Sequence, residues 1–172
     1  MADELLEQAA ASDGIERQGL VLAGLTRLKQ VCNHPAHYLA DGTDLAGRSG
    51  KLARCEELID AILEAGEKAL LFTQYTSWGE RLAVHLARRC GRNPLWLHGG
   101  LGRSAHRLGQ LRCVHVHKLV CGGTVEEGID ALIRGKRELA ERVVASGEQA
   151  LSRLSTDELR ELIRLRPSEG RR

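Results

Sequence analysis

Three short apolar runs, set between stretches of helical periodicity, constrain this chain more than any other feature. Lys68 to Gln74 (KALLFTQ) and Leu95 to His98 (LWLH) are continuous apolar runs too short for helices. That is the form expected of a strand covered on both faces. Cys113 to Val120 instead alternates around Val114, Val116 and Val120, the period of two that marks a sheet strand. Between and around them, apolar residues recur at helical spacing. Leu52, Leu58, Ile59, Ile62 and Leu63 predict a helix over 51–66, capped by Ser49 and ended by Gly66. Leu82, Val84 and Leu86 predict another, opened by a Ser77-Trp78-Gly79-Glu80 box and ending near Cys90. Helix, strand, helix, strand is the order of units that build a parallel sheet. The expected fold class is therefore α/β, with a small parallel sheet of about three strands flanked by helices.

The outer parts of the chain read as helical. Residues 3–11 form one predicted helix, broken at Ser12-Asp13-Gly14. Leu20, Val21, Leu25, Leu28 and Val31 predict a second, which stops at Asn33-His34-Pro35 because the residue before a proline is pushed out of the α region. Residues 40–50 read as loop. Thr124-Val125-Glu126-Glu127 reads as a capping box in front of a long helix over about 125–146. A last helix starts at Ser155-Thr156-Asp157-Glu158. Three regions follow: a helical lead-in over 1–50, the alternating region over 51–150, and a C-terminal helix and tail over 151–172.

Composition narrows the function classes. Aromatic residues make up only 3%, so Leu, Ala, Val and Ile must fill the core. The net charge of +2 announces no general affinity for nucleic acid, and any such contact would have to be local. Arg88, Arg89 and Arg92 form one local basic cluster, although cations also suit a helix C-terminus through its dipole. Five cysteines without a C-x-x-C pair fit free thiols in a reducing compartment. Cys113, His115 and His117 share one strand face, and Cys32, His34 and His37 cluster in sequence. The strand trio lacks a fourth ligand at plausible spacing, and in the other His34 and His37 flank a helix-ending proline, so no metal site is expected. The start MADELLEQAA lacks the pattern of a secretory signal, and no run of about 18 apolar residues could span a membrane. A cytoplasmic protein, nucleoid-associated if it binds DNA, is the expectation.

Read together, the motifs resemble one family. Leu28 to Pro35 (LKQVCNHP) is similar to the "LRQICNHP" segment that leads into the second motor lobe of Swi/Snf-family DNA helicases and translocases. Ser49-Gly50-Lys51-Leu52, then Leu71-Phe72-Thr73-Gln74-Tyr75-Thr76, resemble that lobe's first helix and strand. Leu97-His98-Gly99-Gly100 is similar to the next strand end. His106-Arg107-Leu108-Gly109-Gln110 resembles the end of helicase motif VI, and Val116 to Glu127 the strand and helix after it. The resemblance covers roughly residues 15–165. It implies a RecA-like (helicase C-terminal) lobe that is incomplete. Between Gly100 and Ala105 the family has several dozen residues, including motif V, where this chain has four.

The resemblance implies roles for particular residues. Arg107 would be an arginine finger, effective only with a partner lobe, and with Gln110 would approach the nucleotide. Thr73, Gln74, His98, Gly99 and Gly100 would face DNA. Taken as residues alone, these positions read equally as strand-to-helix turns, and Arg107 as a solvated loop arginine. ATP and magnesium are the implied cofactors, yet the chain contains no G-x-x-x-x-G-K-S/T segment to cradle phosphates. The other motif VI arginine position holds Ser104, with Arg103 beside it. The implied partners are double-stranded DNA and a separate chain carrying the first motor lobe. The competing expectation is a remnant or accessory module that binds DNA or a protein and hydrolyses nothing.

Overall fold

A computed structural model of the chain describes residues 2–98, 115–139 and 151–166. Seven helices form among them: α1 (Ala2–Ala11), α2 (Gly14–Asn33), α3 (Pro35–Leu39), α4 (Gly50–Glu64), α5 (Thr76–Cys90), α6 (Val125–Leu139) and α7 (Thr156–Ile163). No helix among the described residues is long and apolar enough to cross a membrane.

The expected α/β class is overturned: the described residues are helical and contain no strand. Residues 68–74, 95–98 and 115–120, the described parts of the three apolar runs, join no hydrogen-bonded ladder. Leu70 is 84% exposed, Phe72 91%, Leu95 96% and Val116 87%. The reason is that a strand exists only through a neighbour about 4.8 Å away, which local patterning cannot supply. An apolar run states only that its side chains would gain from burial.

The chain divides into two compact units, Met1–Ala53 with Leu119–Arg172, and Arg54–Lys118. In the first, Ala9, Val21, Leu25, Val125, Ile129, Leu159, Leu162 and Ile163 form one apolar core. Two glycines set how closely its helices approach. A Cβ at Gly24 would lie 2.4 Å from Leu5 Cδ1, and one at Gly128 would lie 2.7 Å from Leu162 Cδ1. The distant ends of the chain are also joined by hydrogen bonds. Arg17 donates to Ala9 O at 3.1 Å and Leu154 O at 2.7 Å, and the Arg166 N–H donates to Gly123 O at 2.9 Å.

Polar side chains fix the turn after α2. His34 leaves the helix in extended backbone and is fully buried. Its Nδ1 accepts the Ala36 N–H at 3.0 Å, capping α3, so the ring proton sits on Nε2 and is shared with Leu45 O at 2.9 Å. Ser49 caps α4 as expected, accepting the Leu52 N–H at 3.3 Å while donating to Asn33 O at 3.0 Å. From the first turn of α4, Lys51 Nζ reaches Glu126 Oε1 at 2.6 Å and Oε2 at 2.5 Å, and Asn33 Oδ1 at 3.3 Å. With side chains only 13% and 16% exposed, Lys51 and Glu126 form a largely buried ion pair joining α4 to α6.

Helix ends follow the sequence with two differences. Ser155 and Glu158 form the expected reciprocal capping box, and α7 buries Leu159, Leu162 and Ile163. At α6 the Thr124 hydroxyl donates to Cys121 O at 2.7 Å and accepts the Glu126 N–H, not that of Glu127. Glu127 reaches back one residue further than expected, to the Gly123 N–H at 2.8 Å. α5 starts at Thr76 after Tyr75, so the expected Ser77–Glu80 box does not cap it.

In the second unit α4 ends in a Schellman turn. Gly66 takes φ 69°, its N–H meets Leu63 O at 3.0 Å, and the Glu67 N–H meets Ile62 O at 2.9 Å. α4 and α5 are tied by polar contacts along one face: His85 Nε2 with Glu56 Oε1 at 2.5 Å, and Arg89 with Asp60 Oδ2 at 2.5 Å.

Candidate functional site

The second unit carries a groove of about 440 Å³ lined by Thr73, Gln74, Thr76, Trp96, Leu97 and His98. It is positioned by α5. Gly79, in the first turns of that helix, is buried under the Trp96 indole, and a Cβ there would stand 1.9 Å from the ring. Only glycine lets the indole sit on the helix so closely. His98 follows two residues later, its ring centroid 5.9 Å from that of Trp96 and tilted 32°. On the other side, Thr73 Oγ1 accepts the Tyr75 N–H at 3.2 Å, which turns the chain into α5.

The lining offers hydrogen-bond donors to an anion and contains no Lys, Arg, Asp or Glu. Tyr75 places no side-chain cap on α5, so first-turn N–H groups and the positive end of the helix dipole lie beside Thr76. Two hydroxyls, one primary amide and one imidazole add donors, and no carboxylate lines the groove. Trp96 Nε1 is buried with no hydrogen-bond acceptor among the described residues, a further donor next to the groove. No Lys or Arg lines it, so any phosphate held there would be held by dipoles. Arg89 of the basic cluster is already engaged by Asp60 and Glu56.

The groove brings together three residues singled out from sequence, Thr73, Gln74 and His98. Gly99, Gly100, Arg103, Arg107 and Gln110 lie outside the described residues, as does Cys113. Thr76 and Trp96 were missed. Trp96 stood in a run read only as a buried strand, and its role depends on Gly79 from another element. His34 is committed to Ala36 and Leu45, and no group of three His, Cys, Asp or Glu able to hold a metal occurs among the described residues.

No protein-family model matches the chain. It is 30% identical, over 221 aligned positions, to a putative ATP-dependent helicase/translocase, YwqA, of Bacillus subtilis, an alignment that takes in 96% of this chain and 24% of that protein. In structure it is similar to the SWI2/SNF2 ATPase core of Sulfolobus solfataricus in complex with double-stranded DNA, with TM-score 0.85 and 28% identity, covering 96% of this chain and 46% of that one. The same core solved as the domain alone gives TM-score 0.85 and 29% identity over 96% and 45%. The chain thus spans about a quarter of the curated relative and just under half of the solved core.

Proposed function

Because this chain is homologous to the Swi/Snf2-type ATP-dependent helicases and translocases, we propose that it is their second motor lobe, internally shortened. Its own task would be to hold the backbone of double-stranded DNA in the groove of Thr73, Gln74, Thr76 and His98. The observation that carries this reading is one of extent. Nearly the whole chain matches less than half of an ATPase core crystallised with double-stranded DNA, and the P-loop segment is missing from its sequence. The 221-position alignment, longer than the 172-residue chain, supports an internal shortening.

In this reading Arg107, with Gln110 beside it, meets a γ-phosphate held by a P-loop lobe outside these residues, where its charge stabilises the transferring group. The described residues do not fit an ATP–magnesium site by themselves: no cluster of three metal-ligating side chains occurs among them, and the groove lacks a lysine. The protein would act in the cytoplasm, at the nucleoid when bound to DNA. The missing P-loop favours one second reading, an accessory module that binds DNA or a protein partner and hydrolyses nothing.

Titration of a labelled DNA duplex with the purified chain, followed by fluorescence anisotropy, tests the proposal. Thr73→Ala, Gln74→Ala and His98→Ala should each weaken binding about 2- to 10-fold, the value of one hydrogen bond. With no Lys or Arg in the groove, affinity should fall only shallowly with salt. Unchanged affinity in all three variants would sink the groove assignment. DNA-stimulated ATP hydrolysis by the chain alone, abolished by Arg107→Ala, would overturn the need for a second lobe.

A further inference from the structure

We propose that Cys32 and Cys121 are a hydroperoxide-responsive thiol pair that closes to a disulfide, tying the last turn of α2 to the segment that feeds α6. The two lie 89 positions apart in sequence, yet Cys121 Sγ stands 3.1 Å from Cys32 O. Both are free, and both are half-buried, within reach of a small oxidant. Cys121 is held in place from two sides. Its N–H donates to Glu126 Oε2 at 3.0 Å, and its carbonyl accepts the Thr124 hydroxyl at 2.7 Å.

The surroundings make the two sulfurs unequal. The neighbouring Cys121 thiol, whose Sγ–H is given to the Cys32 carbonyl, draws the Cys32 thiol down to about 7, against the opposing pull of burial. Thr124 and the Lys51 ammonium also favour the Cys32 thiolate, while the Glu126 carboxylate opposes it. Cys121 is pushed up by its interaction with the Cys32 thiol and then by burial. At neutral pH Cys32 is therefore the sulfur present as thiolate, the form that reacts. Cys55, by contrast, is raised by burial and then by Glu56.

The chemistry closes with a hydroperoxide as the oxidant. The Cys32 thiolate attacks the terminal peroxide oxygen. An S–O bond forms, the O–O bond breaks, and the released alkoxide or hydroxide takes a proton to leave as alcohol or water. Cys32 is now a sulfenic acid. Cys121 sulfur attacks Cys32 sulfur, the S–S bond forms, and the S–O bond breaks. The departing hydroxide takes the Cys121 proton as water. Two thiols lose two electrons in total, and the peroxide gains them.

The test uses the full chain, reduced, freed of reductant and exposed to hydrogen peroxide. Intact mass should fall by two hydrogens, and digestion without reductant should give one cross-linked peptide containing Cys32 and Cys121. In Cys121→Ser the reaction should stop at a sulfenic acid on Cys32, captured by dimedone, and Cys32→Ser should give no adduct at Cys121. Disulfides joining other cysteines or other molecules, or dimedone chiefly on Cys55, Cys90 or Cys113, would overturn the proposal. Should a serine variant fail to fold, alkylation of the unsubstituted chain decides. Cys32 labelling by iodoacetamide should reach half its plateau rate near pH 7, and a midpoint shared with Cys55 would overturn the pairing.

Discussion

Lys51→Met removes one half of the ion pair that joins α4 to α6, and its cost can be worked from the contacts. Methionine keeps the length of the stem, so little packing is lost, but Glu126 is left with a charge answered, among the described residues, by the Cys121 N–H at 3.0 Å and by its place in the first turn of α6. Breaking a fully buried pair costs about 3–5 kcal/mol, and breaking an exposed one about 0.2–1 kcal/mol. At 13% and 16% exposure the pair lies close to the buried limit, with some relief from water and from the remaining hydrogen bond. A loss of about 2–3 kcal/mol is expected. For a chain of this length that lowers Tm by roughly 5–10 °C. Adding Glu126→Gln neutralises the stranded carboxylate while keeping an acceptor for Cys121, so the double variant should recover most of the loss. Urea and thermal unfolding, followed by helical circular dichroism at pH 7, measure both. The loss should persist in moderate salt, because buried pairs are weakly screened. A loss below about 0.5 kcal/mol, or a double variant no better than Lys51→Met, would refute the burial argument.

Two further outcomes follow from the same unit. Leu159 is fully buried in the core while Leu165 is 80% exposed, so Leu159→Ala should cost about 3–5 kcal/mol and Leu165→Ala less than about 0.5 kcal/mol in urea unfolding; equal effects would contradict the assigned core. The Ser155 cap should be worth about 1 kcal/mol, read as the lowered urea midpoint of Ser155→Ala. Hydrogen bonds from the Ser155 backbone N–H, and then its hydroxyl, hold the Glu158 carboxyl below its ordinary value. That stabilisation is present above the ordinary carboxylate value and fades as pH falls through the lowered one, so the gap between the unsubstituted chain and Glu158→Gln should narrow from pH 7 to pH 3. A gap independent of pH would count against the reciprocal box.

Helices were legible in the sequence where their signals are local. Periodicity placed α1, α2, α4, α5 and α7 within a few residues, and Ser49, Gly66 and the Ser155–Glu158 box act at those positions. Strands were not legible, because the runs containing Leu70, Phe72 and Leu95 declare a need for burial without naming a neighbour. The groove was half legible. Thr73, Gln74 and His98 were picked out at the ends of apolar runs, whereas Trp96 entered only through its contact with Gly79. Lys51 and Glu126, 75 positions apart, and Cys32 and Cys121, 89 apart, carry no local sign of their partnership. The Thr124 box was misdrawn because its hydroxyl found the Cys121 carbonyl outside the helix.

The core of the first unit is assembled from the two ends of the described chain, and that fixes an order of events on the ribosome. Ala9, Val21 and Leu25 are made early, but Leu159, Leu162 and Ile163, which complete their cluster, are made last. At about 5–20 residues per second, the N-terminal helices wait on the order of ten seconds for the residues that cover them. Throughout that interval α1 and α2 emerge with an uncovered apolar face, open to chaperones and to neighbouring nascent chains. A message that stalls or is cut before the codons for α7 yields a product whose first two helices never find their partners. Slow codons between those for Leu25 and Leu159 should therefore harm the yield of folded protein more than slow codons ahead of α1.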